Sequence, residues 1–170
     1  MNKGFPKLPE PWLRGTLTDL PAVPRAVVHA LQCAREDLWK WCFPLTEDQL
    51  NDRTARIAPV AFHLRHIARS LDRLLTYAEG APLNEDQLAS LKSELAPGAR
   101  HAQLFTELEA ALRSGGRRVR ALASCDLAAP RLVGRKQLPT TLGGLLIHLA
   151  EHTQRHVGQA IITAKLVAPR

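Results

Sequence analysis

Residues 145–162 read LLIHLAEHTQRHVGQAII, and this stretch guides the interpretation of the whole chain. It carries His148, His152 and His156 at successive steps of four. On an α-helix, side chains four residues apart are separated by about 40° around the axis and are surface neighbours. Two neighbouring imidazoles can therefore point at one ion, and imidazole is the commonest metal-ligating side chain. The stretch predicts a helix that either supplies ligands to a metal site or carries a row of histidines without a metal.

Four long amphipathic helices account for most of the chain, because apolar residues recur at steps of three and four. The expected long helices run from Pro21 to Cys42, from Pro59 to Gly80, from His101 to Leu122 and from Thr140 to Leu166. Gly115-Gly116 in the third of them predicts a kink or a close approach of another helix. No segment shows the alternation of a β-strand, so the chain is predicted to be an all-α four-helix bundle.

The segments between the helices are short or polar. Residues 1–18, rich in Pro and Gly, predict an extended arm before a single bundle domain at 19–170. Thr46–Arg56 predicts a short helix with a Thr46/Gln49 capping box. Ala81–Arg100 predicts a polar connection with one short helical turn, and Ala128–Pro139 predicts a long loop before the last helix.

Composition excludes several classes of protein. The length of 170 residues fits one domain, no apolar run approaches the ~18 residues of a membrane span, and the first residues, MNKGFPKLPEPW, lack the apolar core of a signal peptide. Three cysteines without a CxxC motif favour reduced thiols and a cytoplasmic location. The net charge of +7 raises nucleic-acid binding as a hypothesis, but the basic residues are dispersed and aromatics are only 5%, which disfavours it.

Histidines occur in pairs only on the second and fourth long helices. In a helical bundle, metal ligands project inward from facing helices. Two ligands from the fourth helix and one from the second would leave a tetrahedral ion one open position, which is typical of catalytic sites. Helical geometry does not decide between His63 and His66, since His63 lies nearer the centre of the apolar stripe. His29 and His101 are single and are expected to be surface or hydrogen-bonded residues.

Two segments resemble the signature helices of the DinB-like superfamily of metal-binding four-helix bundles: FHLRHIARSLDR at 62–73 and HLAEHTQRHVGQ at 148–159. The family motif is a histidine followed by an apolar residue and alanine, and then His-x3-His closing on x-Gly-Gln. Placed on this chain, the motif falls on His66, His152 and His156. His148 lies one turn earlier and is not the usual third ligand. The sequence departs from the family at Val157, where arginine is frequent.

The resemblance implies a divalent cofactor, Zn²⁺ or Ni²⁺, held by the three motif histidines. It also implies two alternative functions. One is a metal-dependent thiol S-transferase or related detoxification enzyme, whose partners would be a low-molecular-weight thiol and a small electrophile. The other is a non-catalytic bundle whose ion is structural or senses metal or stress. The resemblance is compatible with a homodimer.

Several polar residues near the motif have two interpretations each. Glu151 is either a hydrogen-bond partner that orients an imidazole or an exposed glutamate. Gln159 either contacts substrate or bridges helices. Arg65, Arg69 and Arg73 either bind an anionic thiol or form a solvated face of the helix.

Overall fold

The computed structural model describes residues 8–53 and 57–168, and it contains six α-helices and one β-hairpin. The elements are α1 (Ala22–Trp41), α2 (Glu47–Asn51), α3 (Val60–Ala78), α4 (Glu85–Lys92), α5 (His101–Ala121), β1 (Pro130–Val133), β2 (Leu138–Thr141) and α6 (Leu142–Val167). Parts of the predicted arm (1–7) and of the predicted short helix (54–56) lie outside the described residues, as do residues 169–170.

The four long helices α1, α3, α5 and α6 form a bundle in which α5 and α6 each pack between α1 and α3. Their inward faces bury a continuous apolar core, because each apolar stripe has the helical period. The largest side chains that are almost fully buried include Leu38, Leu64, Ile67, Leu71, Leu75, Leu104, Leu108, Leu146 and Leu149. The predicted all-α four-helix bundle is confirmed.

Capping residues and prolines mark the first turns of several helices. Thr46 and Gln49 form the predicted capping box of α2, in which each side chain binds the backbone N–H of the other residue. The Thr141 hydroxyl accepts the N–H of Gly144 at 3.0 Å and caps α6. Pro59 is the N-cap residue of α3, and Pro24 lies in the first turn of α1, where a missing N–H costs little. The bounds predicted for the four long helices agree with the structure within two residues, whereas α2 ends at Asn51, well before the end of the predicted segment.

The segment predicted as a loop before the last helix is instead a β-hairpin. Its two four-residue strands pair antiparallel, with Pro130 opposite Thr141 and Val133 opposite Leu138. Gly134 and Gln137 take positive φ angles of 71° and 47° in the turn. The strands are short and largely exposed, and each contains a proline, so no alternation of buried and exposed residues marks them in the sequence.

Part of the predicted arm packs on α1. Residues Pro11–Leu13 form one turn of 3-10 helix, which begins at a proline whose φ is already suitable. Arg14 donates two hydrogen bonds to the carboxylate of Glu36 on α1, at 2.6 and 2.8 Å. The described part of the arm, residues 8–18, is therefore tethered to α1 and contains a single helical turn.

Candidate metal centre

The interface of α3 with α6 brings together the paired histidines of both helices. His63 and His66 lie on the first half of α3, and His152 and His156 lie one turn apart in the middle of α6. The two helices pack directly against each other. Imidazoles that are 86 or more residues apart in sequence therefore face one another in the fold.

His66, His152 and His156, called the histidine triad below, each offer one nitrogen, and these three atoms lie within 4.8 Å of one another. Nε2 of His66 is 2.8 Å from Nε2 of His152, and the ring centroids of His66 and His156 are 4.3 Å apart. A tetrahedral Zn²⁺ with Zn–N bonds of 2.0–2.1 Å separates its ligand atoms by about 3.3 Å. The observed spacing brackets that value, so the triad fits one ion.

The electrostatics of the triad also fit a metal. Burial, and next the neighbouring His66, lower the pKa of His152 and of His156 to about 4. Both rings are therefore neutral at neutral pH, the form in which imidazole ligates metals. Nδ1 of His152 is buried and has no hydrogen-bond partner among the described residues. A buried polar atom without a partner is costly, and such atoms often mark a missing water or ion.

The other two histidines of the paired helices lie outside the triad. His63 is buried, and its Nδ1 lies 3.1 Å from Nδ1 of His156. Burial, followed by the charge of His66, lowers the pKa of His63 to about 4. His148 is half exposed, and its Nδ1 lies 3.5 Å from a carboxylate oxygen of Glu151. The structure therefore groups the residues that the family motif singled out.

A carboxylate that the sequence interpretation missed contacts the triad. Glu94 lies in the turn after α4, and its Oε2 accepts from Nδ1 of His66 at 2.7 Å. Its other oxygen accepts from the Arg73 guanidinium, also at 2.7 Å. Burial raises the pKa of Glu94, but the hydrogen bonds from His66 and Arg73 outweigh it, and the net pKa is below the ordinary value. No spacing rule connects residue 94 to residue 66, so only the tertiary fold could reveal this contact.

Arg65, Arg69 and Arg73 of α3 each have a hydrogen-bond partner within the protein. Arg65 donates to the carbonyl of Ala96, and Arg69 donates to the carboxylate of Glu107 at 2.7 Å. Arg73, as described, is buried against Glu94. The interpretation as a solvated face is therefore wrong, because these side chains hold α3 to the segments around α4 and α5, while binding of an anionic thiol stays a prediction.

On α6, Glu151 is exposed and forms an ion pair with Arg155 one turn later. This agrees with the interpretation of Glu151 as an exposed glutamate. Gln159 is exposed and borders a cavity of about 460 Å³. This cavity, called the site cavity below, is lined by Ile57, Ala58, Phe62, His63, Gln159, Ile162 and Thr163. Phe62 also stacks on His66 with ring centroids 5.3 Å apart, so the cavity adjoins the triad.

A larger cavity of about 560 Å³ lies elsewhere, between the arm, α1 and α6. Trp12, His29, Cys33 and Gln154 are among its lining residues, and no triad histidine is. His29 is buried beside the hydroxyl of Thr16, and Nε2 of His101 lies 2.8 Å from the carbonyl of Phe43. These two single histidines have the hydrogen-bonded roles expected of them, and the site cavity remains the one next to the candidate ligands.

Comparison with protein families gives a match to the DinB superfamily over residues 30–160. The chain belongs to the DinB superfamily. The match spans the bundle from α1 to α6, including both histidine-bearing helices. DinB superfamily membership supports a metal-binding protein, and the triad is a group that could hold the ion. A comparison with curated proteins gives no match. Within the described residues, no helix has both the length and the apolar character that crossing a bilayer requires.

Proposed function

We propose that this DinB-superfamily protein binds one divalent metal ion through His66, His152 and His156. The convergence of one nitrogen from each ring to within 4.8 Å carries the proposal. The pKa values of about 4 at His152 and His156 support it, because neither ring has to lose a proton to bind at neutral pH. Zn²⁺ is the favoured ion and Ni²⁺ the alternative, since imidazole ligates both.

Three features support an enzyme. Within the described residues, the cluster holds three potential ligands, whereas structural zinc sites have four. The site cavity adjoins the triad and has room for a small substrate. Its walls combine apolar side chains with the amide of Gln159, which could orient a polar group. Gln159 is thus proposed to contact substrate.

The finer proposal is a metal-dependent thiol S-transferase acting on a small electrophile. A divalent ion at the triad would lower the pKa of a bound thiol and stabilise its thiolate. In the reaction, the thiolate sulfur forms a bond to the electrophilic carbon, the leaving group departs with its electron pair, and the thiol proton passes to solvent. Neither Cys33 nor Cys42 is suited to supply the thiol, because burial raises the pKa of Cys33 and raises that of Cys42 to about 12.

A non-catalytic ion is the second candidate, and one observation favours it. The ring of His63 lies 3.1 Å from that of His156 and, after a small rotation, could supply a fourth ligand. A closed set of four protein ligands is typical of structural sites. Replacing His63 with Phe should leave metal affinity within about twofold of the wild type if the site has three protein ligands, and should weaken it if His63 is the fourth.

The experiment that tests the function starts from metal-free protein loaded with Zn²⁺ or Ni²⁺. Metal content after desalting should be close to one ion per chain. Conjugation of a panel of low-molecular-weight thiols to monochlorobimane should then be faster with loaded than with metal-free protein. Absence of bound metal at excess ion would refute the metal site. Bound metal without turnover of any thiol would leave the non-catalytic alternative. The cytoplasmic location and the homodimer stay predictions.

A further inference from the structure

A buried cluster of Glu94, His66 and Arg73 joins the turn after α4 to the middle of α3. The side chain of Glu94 is only 6% exposed, and that of Arg73 is 11% exposed. Each oxygen of Glu94 has a different partner: Oε1 accepts from Arg73 and Oε2 from Nδ1 of His66, both at 2.7 Å. Burying a carboxylate costs several kcal/mol by order of magnitude, so its partners determine whether it is tolerated. The third member of this cluster is a residue of the triad.

We propose that Glu94, anchored by Arg73, is a positioning residue that keeps the proton of His66 on Nδ1 and so presents Nε2 to the ion. The inference rests on the proposed metal site, which it deepens. It assigns a role to a segment, the connection between α4 and α5, that carries no family motif residue.

The proton positions follow from the contacts. An ionised carboxylate only accepts hydrogen bonds, so Nδ1 of His66 must donate to Glu94. In the neutral ring, Nε2 then carries the lone pair, and it is this atom that lies 2.8 Å from Nε2 of His152. In this short contact the donor is therefore Nε2–H of His152 and the acceptor is Nε2 of His66. Because a neutral imidazole carries one proton, Nδ1 of His152 is then unprotonated. The structure leaves this same atom, Nδ1 of His152, buried without a partner.

Arg73 completes the arrangement. By binding the second oxygen, its guanidinium fixes the carboxylate plane and offsets the charge of Glu94. A carboxylate behind a metal-ligating histidine fixes the tautomer and the ring orientation and makes the ligand nitrogen more basic. His152 and His156 have no such carboxylate partner among the described contacts, so His66 is the most firmly oriented ligand of the triad.

A purely structural role is the competing explanation, since Glu94 also ties its turn to α3. The chain contains a control for that role. Arg69, one turn after His66 on α3, binds Glu107 of α5 at 2.7 Å, again through a carboxylate on a neighbouring element. Glu107 has no histidine partner among its recorded contacts. Glu107→Gln therefore removes an ion pair between α3 and a neighbouring element without touching the triad, at a carboxylate that is 38% exposed where Glu94 is 6% exposed.

The first test measures Zn²⁺ affinity by competition with a chromophoric chelator for the full-length wild type, Glu94→Gln and Glu107→Gln. We expect Glu94→Gln to bind about 10–100-fold more weakly, as is usual when such a partner is lost. Glu107→Gln should stay within about threefold of wild type. Equal affinities in all three proteins, or equal losses in the two variants, would overturn the inference while leaving the metal site intact.

The second test reads the position of the proton directly in metal-free protein, and its decisive measurement is made on the wild type. Two-dimensional ¹H–¹⁵N NMR of imidazole nitrogens in the metal-free wild type should show His66 protonated on Nδ1 and unprotonated on Nε2. Glu107→Gln should keep this pattern, and Glu94→Gln should weaken or lose it. A wild-type His66 protonated on Nε2 would overturn the inference even if Glu94→Gln does not fold. Failure of the wild type to take up metal would instead count against the proposed function.

Discussion

The two faces of α3 use the same helical spacing for opposite purposes. Toward α5, the bundle is closed by leucines, and Gly115 of α5 lies so close to α1 and α3 that an added Cβ would be 3.3 Å from Leu31 of α1 and 3.7 Å from Leu75 of α3. Toward α6, imidazoles meet at hydrogen-bonding distances of 2.8 and 3.1 Å. The side of α3 that faces α5, called the leucine face below, gains stability by excluding water. The side that faces α6, called the imidazole face below, needs specific hydrogen-bond partners or a metal ion. The comparison indicates that stability and metal binding are largely separable in this bundle.

The largest expected effect is on the imidazole face. His152→Ala or His156→Ala should weaken metal binding about 60–700-fold, because each ligand of a structural zinc site contributes about 2.5–4 kcal/mol when ~10–16 kcal/mol is divided among four. Metal analysis after brief chelator treatment measures this, and circular dichroism checks the fold. His101→Ala is the control, because His101 contacts the carbonyl of Phe43 and not the triad. Full metal retention in both triad variants would mean that the ion, if any, binds elsewhere.

The next effect is on the leucine face. Leu108 of α5 is fully buried, and Leu108→Ala should lower the free energy of unfolding by about 3 kcal/mol through lost burial and a residual cavity. Urea denaturation of the metal-free protein measures the change. Metal stoichiometry should remain that of the wild type. A loss of bound metal in folded Leu108→Ala protein would show that the two faces are coupled.

A smaller effect comes from pH and again concerns the imidazole face. The pKa values of His63, His152 and His156 are lowered to about 4 from an ordinary value near 6.5. Above pH 6.5 neither state binds these protons. As the pH falls from 6.5 toward 4, the unfolded chain takes them up and the folded chain does not, so stability falls. The Tm of metal-free protein should decline across this window.

The matched variant for the pH prediction is His63→Phe, which removes one of the three depressed groups without removing a triad ligand. Its Tm should decline less steeply between pH 6.5 and 4 than that of the wild type. An identical slope in the two proteins would exclude His63 as a source of the acid sensitivity.

The smallest effect compares two adjacent glycines of α5, of which Gly115 packs against leucines and Gly116 does not. Gly116→Ala should stabilise the protein by up to about 1 kcal/mol, because alanine favours helix and nothing lies within 4 Å of the added Cβ. Gly115→Ala should gain less or lose stability, because its Cβ meets Leu31 at 3.3 Å. Paired thermal denaturation curves measure the difference. An equal gain at both positions would contradict a tight contact at Gly115.

Some residues of the candidate site could be predicted from local sequence patterns and others could not. His152 and His156 are separated by one helical turn, so their convergence follows from local geometry alone. The choice of His66 over His63 came from family resemblance, and the fold places His66 with the other two within 4.8 Å. Glu94 could not be predicted, because its contact spans 28 residues and depends on how one turn packs against α3.

By itself, the sequence determined the helices, their capping residues and the bundle class, because periodicity and capping act within a few residues. Tertiary structure decided which polar side chains meet. It packed α6 against α3 and paired the arginines of α3 with groups on neighbouring segments. It also placed the carboxylate of Glu94 at hydrogen-bonding distance from Nδ1 of His66. It also paired the strands of the hairpin. Contacts between distant residues depend on the packing of whole elements, which no local pattern encodes.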